Sequence, residues 1–157
     1  MYKLRKKVVK IMKVKDCMCQ NVCTCKPNAS ISDVAKLMGE NHIGCVPVCD
    51  DIGGVVGVLT DRDILLRTVA CDKDSNTTKA SDIMTTNVKW CSSETDIKDA
   101  SKMMCDCQVK RIPIVDNNRI VGIITLGDIA SNKDISNEEI GCTTRGICNC
   151  NSYKNAE

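Results

Sequence analysis

The chain has 157 residues, with 22 Lys and Arg against 20 Asp and Glu and a formal net charge of +2. That length is one ordinary domain's worth, and the near-neutral balance excludes a strong global affinity for nucleic acid. With no Phe, one Trp and two Tyr, the core must be built from Val, Ile, Leu, Met and Ala, with some of the 13 cysteines packing as small hydrophobes.

No apolar run approaches the roughly 18 residues of a membrane span. The charged start is not followed by the apolar stretch of a signal peptide. The expectation is therefore a cytoplasmic protein whose cysteines are reduced and structural.

Residues 1–15 carry seven Lys or Arg, with Leu4, Val8 and Ile11 at helical spacing. They read as a basic, solvated N-terminal extension, the sharper reading being a nucleic-acid or anionic-membrane patch. Two Cys-x-Cys pairs follow, Cys17 with Cys19 and Cys23 with Cys25. Such a cluster could hold a thiophilic metal or pass electrons. A short strand is expected over 22–24. Ser30-x-x-Asp33 then opens a helix whose Ile31, Val34, Ala35 and Met38 share one face. His42, the single histidine, falls at that helix's end, where a cap or a solvated ring is the expectation. Strand 45–49, a turn over 50–54, strand 55–59 and a helix from 61 to about 70 complete the unit.

Residues 72–80 are polar and turn-rich and read as a linker. After it the pattern recurs. At an offset of 66, Asp16, Met18, Asn21, Val22, Ile31, Asp33, Met38 and Pro47 meet Asp82, Met84, Asn87, Val88, Ile97, Asp99, Met104 and Pro113. At an offset of 65, Gly57, Thr60, Asp63 and Ile64 meet Gly122, Thr125, Asp128 and Ile129. The chain is therefore an internal duplication, with repeats over 16–71 and 81–131. Each copy is too small to bury a good core alone, so the two should pack on each other. The second copies of Cys17, Cys19, Cys23 and Cys25 are Ile83, Thr85, Lys89 and Cys91, which favours ordinary core and surface roles for the first cluster. Residues 132–157 read as an irregular tail bearing Cys142, Cys148 and Cys150.

The duplicated stretch joins an apolar β-branched strand to a helix through Thr-x-x-Asp, at Thr60 to Asp63 and Thr125 to Asp128. That spacing is a helix-entry signature, with hydroxyl and carboxylate capping reciprocally. It also suits a nucleotide, since a helix start favours a phosphate and an acidic side chain accepts ribose hydroxyls. No nucleophile–base–orienter set, Walker-type loop or His pair points to catalysis.

These residues resemble the CBS domain, the module named after cystathionine β-synthase. The resemblance rests on Gly-apolar-x-Thr-x-x-Asp at 57–63 and 122–128, and on Val46-Pro47-Val48 and Ile112-Pro113-Ile114. It covers roughly residues 12–131. It implies an α/β (α+β) fold, a tandem CBS pair of β-α-β-β-α repeats related by a pseudo-two-fold axis. It further implies a non-catalytic sensor, with no cofactor beyond a regulatory adenosine-containing ligand such as AMP, ADP, ATP or S-adenosylmethionine. A homodimer acting on a separate effector protein, away from membrane and nucleic acid, is the implied setting. By the same resemblance, Thr60, Arg62 and Asp63 face Lys110, Arg111, Ile112 and Pro113 across one cleft. Thr125 and Asp128 face a neutral wall of Gly44 and Cys45 beside Val46 and Pro47 in the other. The alternative is a cysteine-based metal or redox protein on the same scaffold, using Cys17, Cys19, Cys23 and Cys25.

Overall fold

The computed structural model describes residues 11–148. Helix α1 (Ile31–Glu40) starts where the Ser30 hydroxyl accepts the Asp33 N–H at 3.1 Å, and it buries Ile31, Val34 and Met38. Strands β1 (Cys45–Cys49) and β2 (Val55–Thr60) form an antiparallel hairpin that runs straight into α2 (Asp61–Arg67). The short helix α3 (Ala80–Ile83) opens the second half. Helix α4 (Ile97–Cys107), strands β3 (Arg111–Asp116) and β4 (Arg119–Thr125) and helix α5 (Leu126–Ser131) then repeat the first set. Both hairpins carry a bulge at the same place, between Val48 and Cys49 and between Ile114 and Val115.

The proline in each first strand sits at a register position that needs no N–H. Pro47 lies opposite Val58, whose own N–H points away from β1 to the Thr85 carbonyl at 2.9 Å. On the outer edge of β1 the Pro47 carbonyl accepts the Cys25 N–H at 3.1 Å, so the missing donor leaves no bond unmade. The strand expected over 22–24 reduces to this contact, a single parallel bridge between Cys25 and Val48. Cys91 and Ile114 form its counterpart.

The two cores are not the two sequence repeats. Val14, on a short 3₁₀ turn (Val14–Asp16), is fully buried among Ile97, Ala100, Met104, Ile112, Ile124 and Ile129 of the second half. Ala80 and Ile83 of α3 are buried among Ile31, Val34, Val46, Val48 and Leu59 of the first. Backbone bonds fasten each exchanged segment. Ile97 N–H donates to Met12 O at 3.0 Å, and Ile31 N–H donates to Thr78 O at 3.0 Å. The solvated extension expected over 1–15 is thus corrected at its end, because Val14 fills a core. Leu4 and Val8 lie outside the described residues.

Two methionines lock the exchange. Met84 lies over Gly57 so closely that a Cβ there would meet the methionine Cγ at 2.8 Å. A Cβ on Gly122 would meet Met18 Sδ at 2.6 Å. The glycine of each motif is therefore a seat for the other half's methionine.

Two further expectations are corrected. The helix expected from 61 to about 70 ends at Arg67, and a 3₁₀ turn (Val69–Cys71) follows. The tail expected to be irregular contains α6 (Asn137–Cys148), which packs on α4 and α5 and buries Thr143 and Ile147. Two glycines and paired threonines gave α6 weak helical propensity. Tertiary contact supplies what propensity lacks. A Cβ on Gly146 would lie 2.9 Å from the Cys105 Cβ, so only glycine lets the two helices approach so closely.

These contacts assign opposite signs to one kind of substitution. Gly57→Ala should destabilise the protein by about 1–3 kcal/mol, because Met84 must move. Gly39→Ala, on α1 with nothing within 4 Å of the new Cβ, should stabilise it by about 0.5–1 kcal/mol. Urea unfolding midpoints of the two variants against the parent check both.

Candidate ligand-binding site

The Thr-x-x-Asp motifs form complete capping boxes. At the α2 start, the Thr60 N–H and hydroxyl donate to Asp63 Oδ2 at 3.0 and 2.7 Å, and the Asp63 N–H donates back to Thr60 Oγ1 at 3.1 Å. Thr125 and Asp128 repeat the arrangement with bonds of 2.8, 2.7 and 3.1 Å. The second carboxylate oxygen differs between the copies. Asp63 Oδ1 pairs with Arg67 Nη2 at 3.2 Å, and Arg67 Nη1 donates to Ile83 O at 2.7 Å in the exchanged segment. Asn132 occupies the Arg67 position in the second copy, and its side chain donates to Cys17 Sγ at 3.0 Å instead.

The exchange creates two clefts, one on each side of the pseudo-two-fold axis. The larger, about 570 Å³, lies between the β2–α2 junction (Val58, Thr60, Asp61, Arg62) and the segments 85–89 and 107–111. The smaller, about 280 Å³, lies between the β4–α5 junction (Ile123, Thr125, Asp128) and the segments 19–23 and 42–45. Thr85, Asn87, Lys89 and Lys110 of the first cleft correspond to Cys19, Asn21, Cys23 and Gly44 of the second. The backbone walls are therefore equivalent, and their charges are not. Arg62, Lys89, Lys110 and Arg111 face Asp61 in the larger cleft. Arg111 faces Asp128 in the smaller one.

Of the residues singled out from the sequence, Thr60, Arg62, Lys110, Arg111 and Pro113 come together on the larger cleft. Thr125 and Asp128 line the smaller one. Asp63 is not among the lining residues; Asp61 is. Val46 and Ile112 are fully buried in the cores and hold the clefts only through their strands. Pro47, in β1, lines neither cleft. The neutral wall expected opposite Asp128 is corrected, because Arg111 reaches this cleft as well. Sequence reasoning missed Asp61, Lys89 and His42. Asn21 and Asn87, one on each cleft, were legible as a repeat identity in otherwise variable segments.

The four cysteines of the first cluster do not gather into one site. Cys17 contacts Met12 Sδ at 3.3 Å, Cys19 and Cys23 line the smaller cleft, and Cys25 bridges to Val48. Among the described residues, no group of three or more His, Cys, Asp or Glu is placed to hold a metal. The described cysteines are free thiols. Burial pushes the thiols of Cys25 and Cys45 up to about 11, against the neighbouring Arg111 in the case of Cys45.

A pseudo-symmetric pair of interleaved repeats enclosing two such clefts is the architecture of a tandem ligand-sensing module. The chain belongs to the CBS domain family, whose model matches it twice, over residues 14–69 and 80–133. It is 41% identical to the CBS domain-containing protein YhcV of Bacillus subtilis over 140 residues, 89% of this chain and 98% of that one. Among solved structures, it resembles Hypoxic Response Protein I with two coordinated zinc ions (TM-score 0.71, 31% identity, 76% of this chain and 97% of that one). Hypoxic response protein 1 is a Mycobacterium tuberculosis protein. It also resembles the CBS domain pair of protein MJ0100 in complex with 5′-methylthioadenosine and S-adenosyl-L-methionine (TM-score 0.69, 30% identity, 76% and 97%).

The buried thiols make a pH prediction. The folded chain keeps protons on Cys25 and Cys45 up to about pH 11, whereas the unfolded thiols lose theirs near 9.0. The unfolded state binds fewer protons in that window, so stability is complete below it and falls as pH rises through it. Denaturation midpoints should drop between about pH 9 and pH 11, and the drop should shrink in a Cys25→Ala, Cys45→Ala double variant.

Proposed function

We propose that the protein is a regulatory sensor whose larger cleft binds a phosphate-bearing adenosine ligand such as AMP, ADP or ATP. The carrying observation is the charge of that cleft, where Arg62, Lys89, Lys110 and Arg111 converge around one acidic side chain, Asp61. Its volume of about 570 Å³ falls within the roughly 300–1,000 Å³ of small-molecule sites. The MJ0100 domain pair, complexed with two adenosine derivatives, supports the adenosine half of the reading. In this reading Arg111 and Lys110 pair the phosphate, Thr60 and Arg62 border it, and Pro113 contributes apolar wall. Asp63 accepts ribose hydroxyls only by sharing the oxygen that Arg67 now holds. Thr125 and Asp128 serve an adenosine ligand with less negative charge in the smaller cleft. The smaller site suits neutral or sulfonium ligands such as S-adenosylmethionine.

The same reading makes the chain a cytoplasmic homodimer that signals to an effector protein, with no catalysis of its own. Leu65, Leu66 and Val69 support the pairing, since they stand 47–62% exposed on and just beyond α2, where a second copy would cover them.

Two measurements test the proposal. Calorimetry should show AMP binding more tightly than adenosine, and Arg111→Ala should remove about 1.5–3 kcal/mol of AMP affinity while sparing adenosine. An unchanged AMP-over-adenosine preference in Arg111→Ala would sink the phosphate assignment. Sedimentation equilibrium should give a dimer mass for the parent and the 17.2 kDa chain mass for a Leu65→Glu, Leu66→Glu variant.

A further inference from the structure

We propose that the two clefts share one guanidinium, Arg111, so that each chain holds a single phosphate-bearing ligand at a time. The inference rests on the sensor reading and concerns how its two sites regulate each other. Arg111 and Cys45 are the first residues of β3 and β1, and they are counterparts under the pseudo-two-fold axis. Both line both clefts. They therefore stand on the partition between the sites.

Gly44 locates the guanidinium. A Cβ on Gly44, a residue of the smaller cleft, would lie 3.6 Å from Arg111 Nη2 and 2.8 Å from Asp61 Oδ2, which belongs to the larger cleft. Arg111 makes no ion pair among the described residues, so no salt bridge fixes it to either side. A symmetric pair of arginines would have served both clefts. Here the counterpart is Cys45, which burial keeps protonated and uncharged near neutral pH.

The consequences for the clefts are unequal. The larger cleft retains Arg62, Lys89 and Lys110 whatever Arg111 does. The smaller cleft has no other Lys or Arg among its lining residues, and it contains Asp128. A phosphate in the larger cleft that engages Arg111 through two parallel bonds leaves the smaller cleft with the Asp128 carboxylate and no Lys or Arg to offset it. That cleft then rejects a second anion and still accepts an uncharged or sulfonium-bearing adenosine compound. By linkage, an anion in the smaller cleft weakens anion binding in the larger by the same factor.

Calorimetry of the full chain with AMP, and separately with adenosine, tests this. Adenosine should fill two sites per chain. AMP should fill one, with any second AMP weaker by on the order of tenfold or more, and AMP-loaded protein should still take up adenosine. In Arg111→Gln, an exposed position where the fold should survive, the larger cleft should bind AMP more weakly through Arg62, Lys89 and Lys110, and the smaller cleft should take adenosine but no AMP whether or not the larger is filled. Two equal AMP sites in the parent, adenosine stopping at one per chain, or a second AMP site surviving in Arg111→Gln would each overturn shared use of Arg111. Failure of AMP, adenosine and 5′-methylthioadenosine alike to bind would overturn the sensor reading beneath it, and this inference with it.

Discussion

Each half of this protein is completed by a segment of the other, and the rest of the structure depends on that exchange. Met84 seated on Gly57 and Met18 seated on Gly122 hold it in place, together with backbone bonds such as the reciprocal pair between Val58 and Thr85 at 2.9 Å. A repeat of this size cannot remove enough apolar surface from water by itself. Borrowing Val14 or Ala80 and Ile83 closes each core. The same crossing segments continue into residues 19–23 and 85–89, which form cleft walls. Packing and ligand recognition are therefore built from one piece of chain.

Duplication preserved the backbone and released the side chains. Capping boxes, strand bulges and proline positions recur in both halves with nearly the same geometry. Positions that line the clefts have diverged in charge, from Lys110 to Gly44 and Lys89 to Cys23. A core position tolerates little change because its volume is felt by every neighbour. A cleft position facing water carries no such constraint. The two sites can thus differ in ligand while the fold stays symmetric.

Helix α6 breaks the symmetry on the outside. It lies on α4 and α5, with Gly146 against Cys105. The matching surface of the first half, around Ala35 and Gly39 of α1 and Leu65 and Leu66 of α2, is left exposed. One face of the module is closed by its own chain and the other is open.

How much of this was legible beforehand follows from which interactions are local. The duplication, the hairpins, the Ser30 and Thr60 caps and the family could be read from sequence, because periodicity and capping act over three or four residues. Thr60, Arg62, Lys110 and Arg111 were assigned to one cleft on resemblance, and they do line one cleft. The fate of Asp63 was not legible. Its second oxygen is held by Arg67, which in turn reaches Ile83 in the exchanged segment. Nor was α6, whose glycines argue against a helix until Cys105 is placed beside Gly146. Lys89 and Asp61 became cleft residues, and Arg111 a residue of both clefts, only once the halves interleaved. Local spacing sets which elements form. Which side chains meet across a cleft is decided by packing between segments far apart in the chain, as with Met84 on Gly57 and Met18 on Gly122, through contacts that no local pattern encodes.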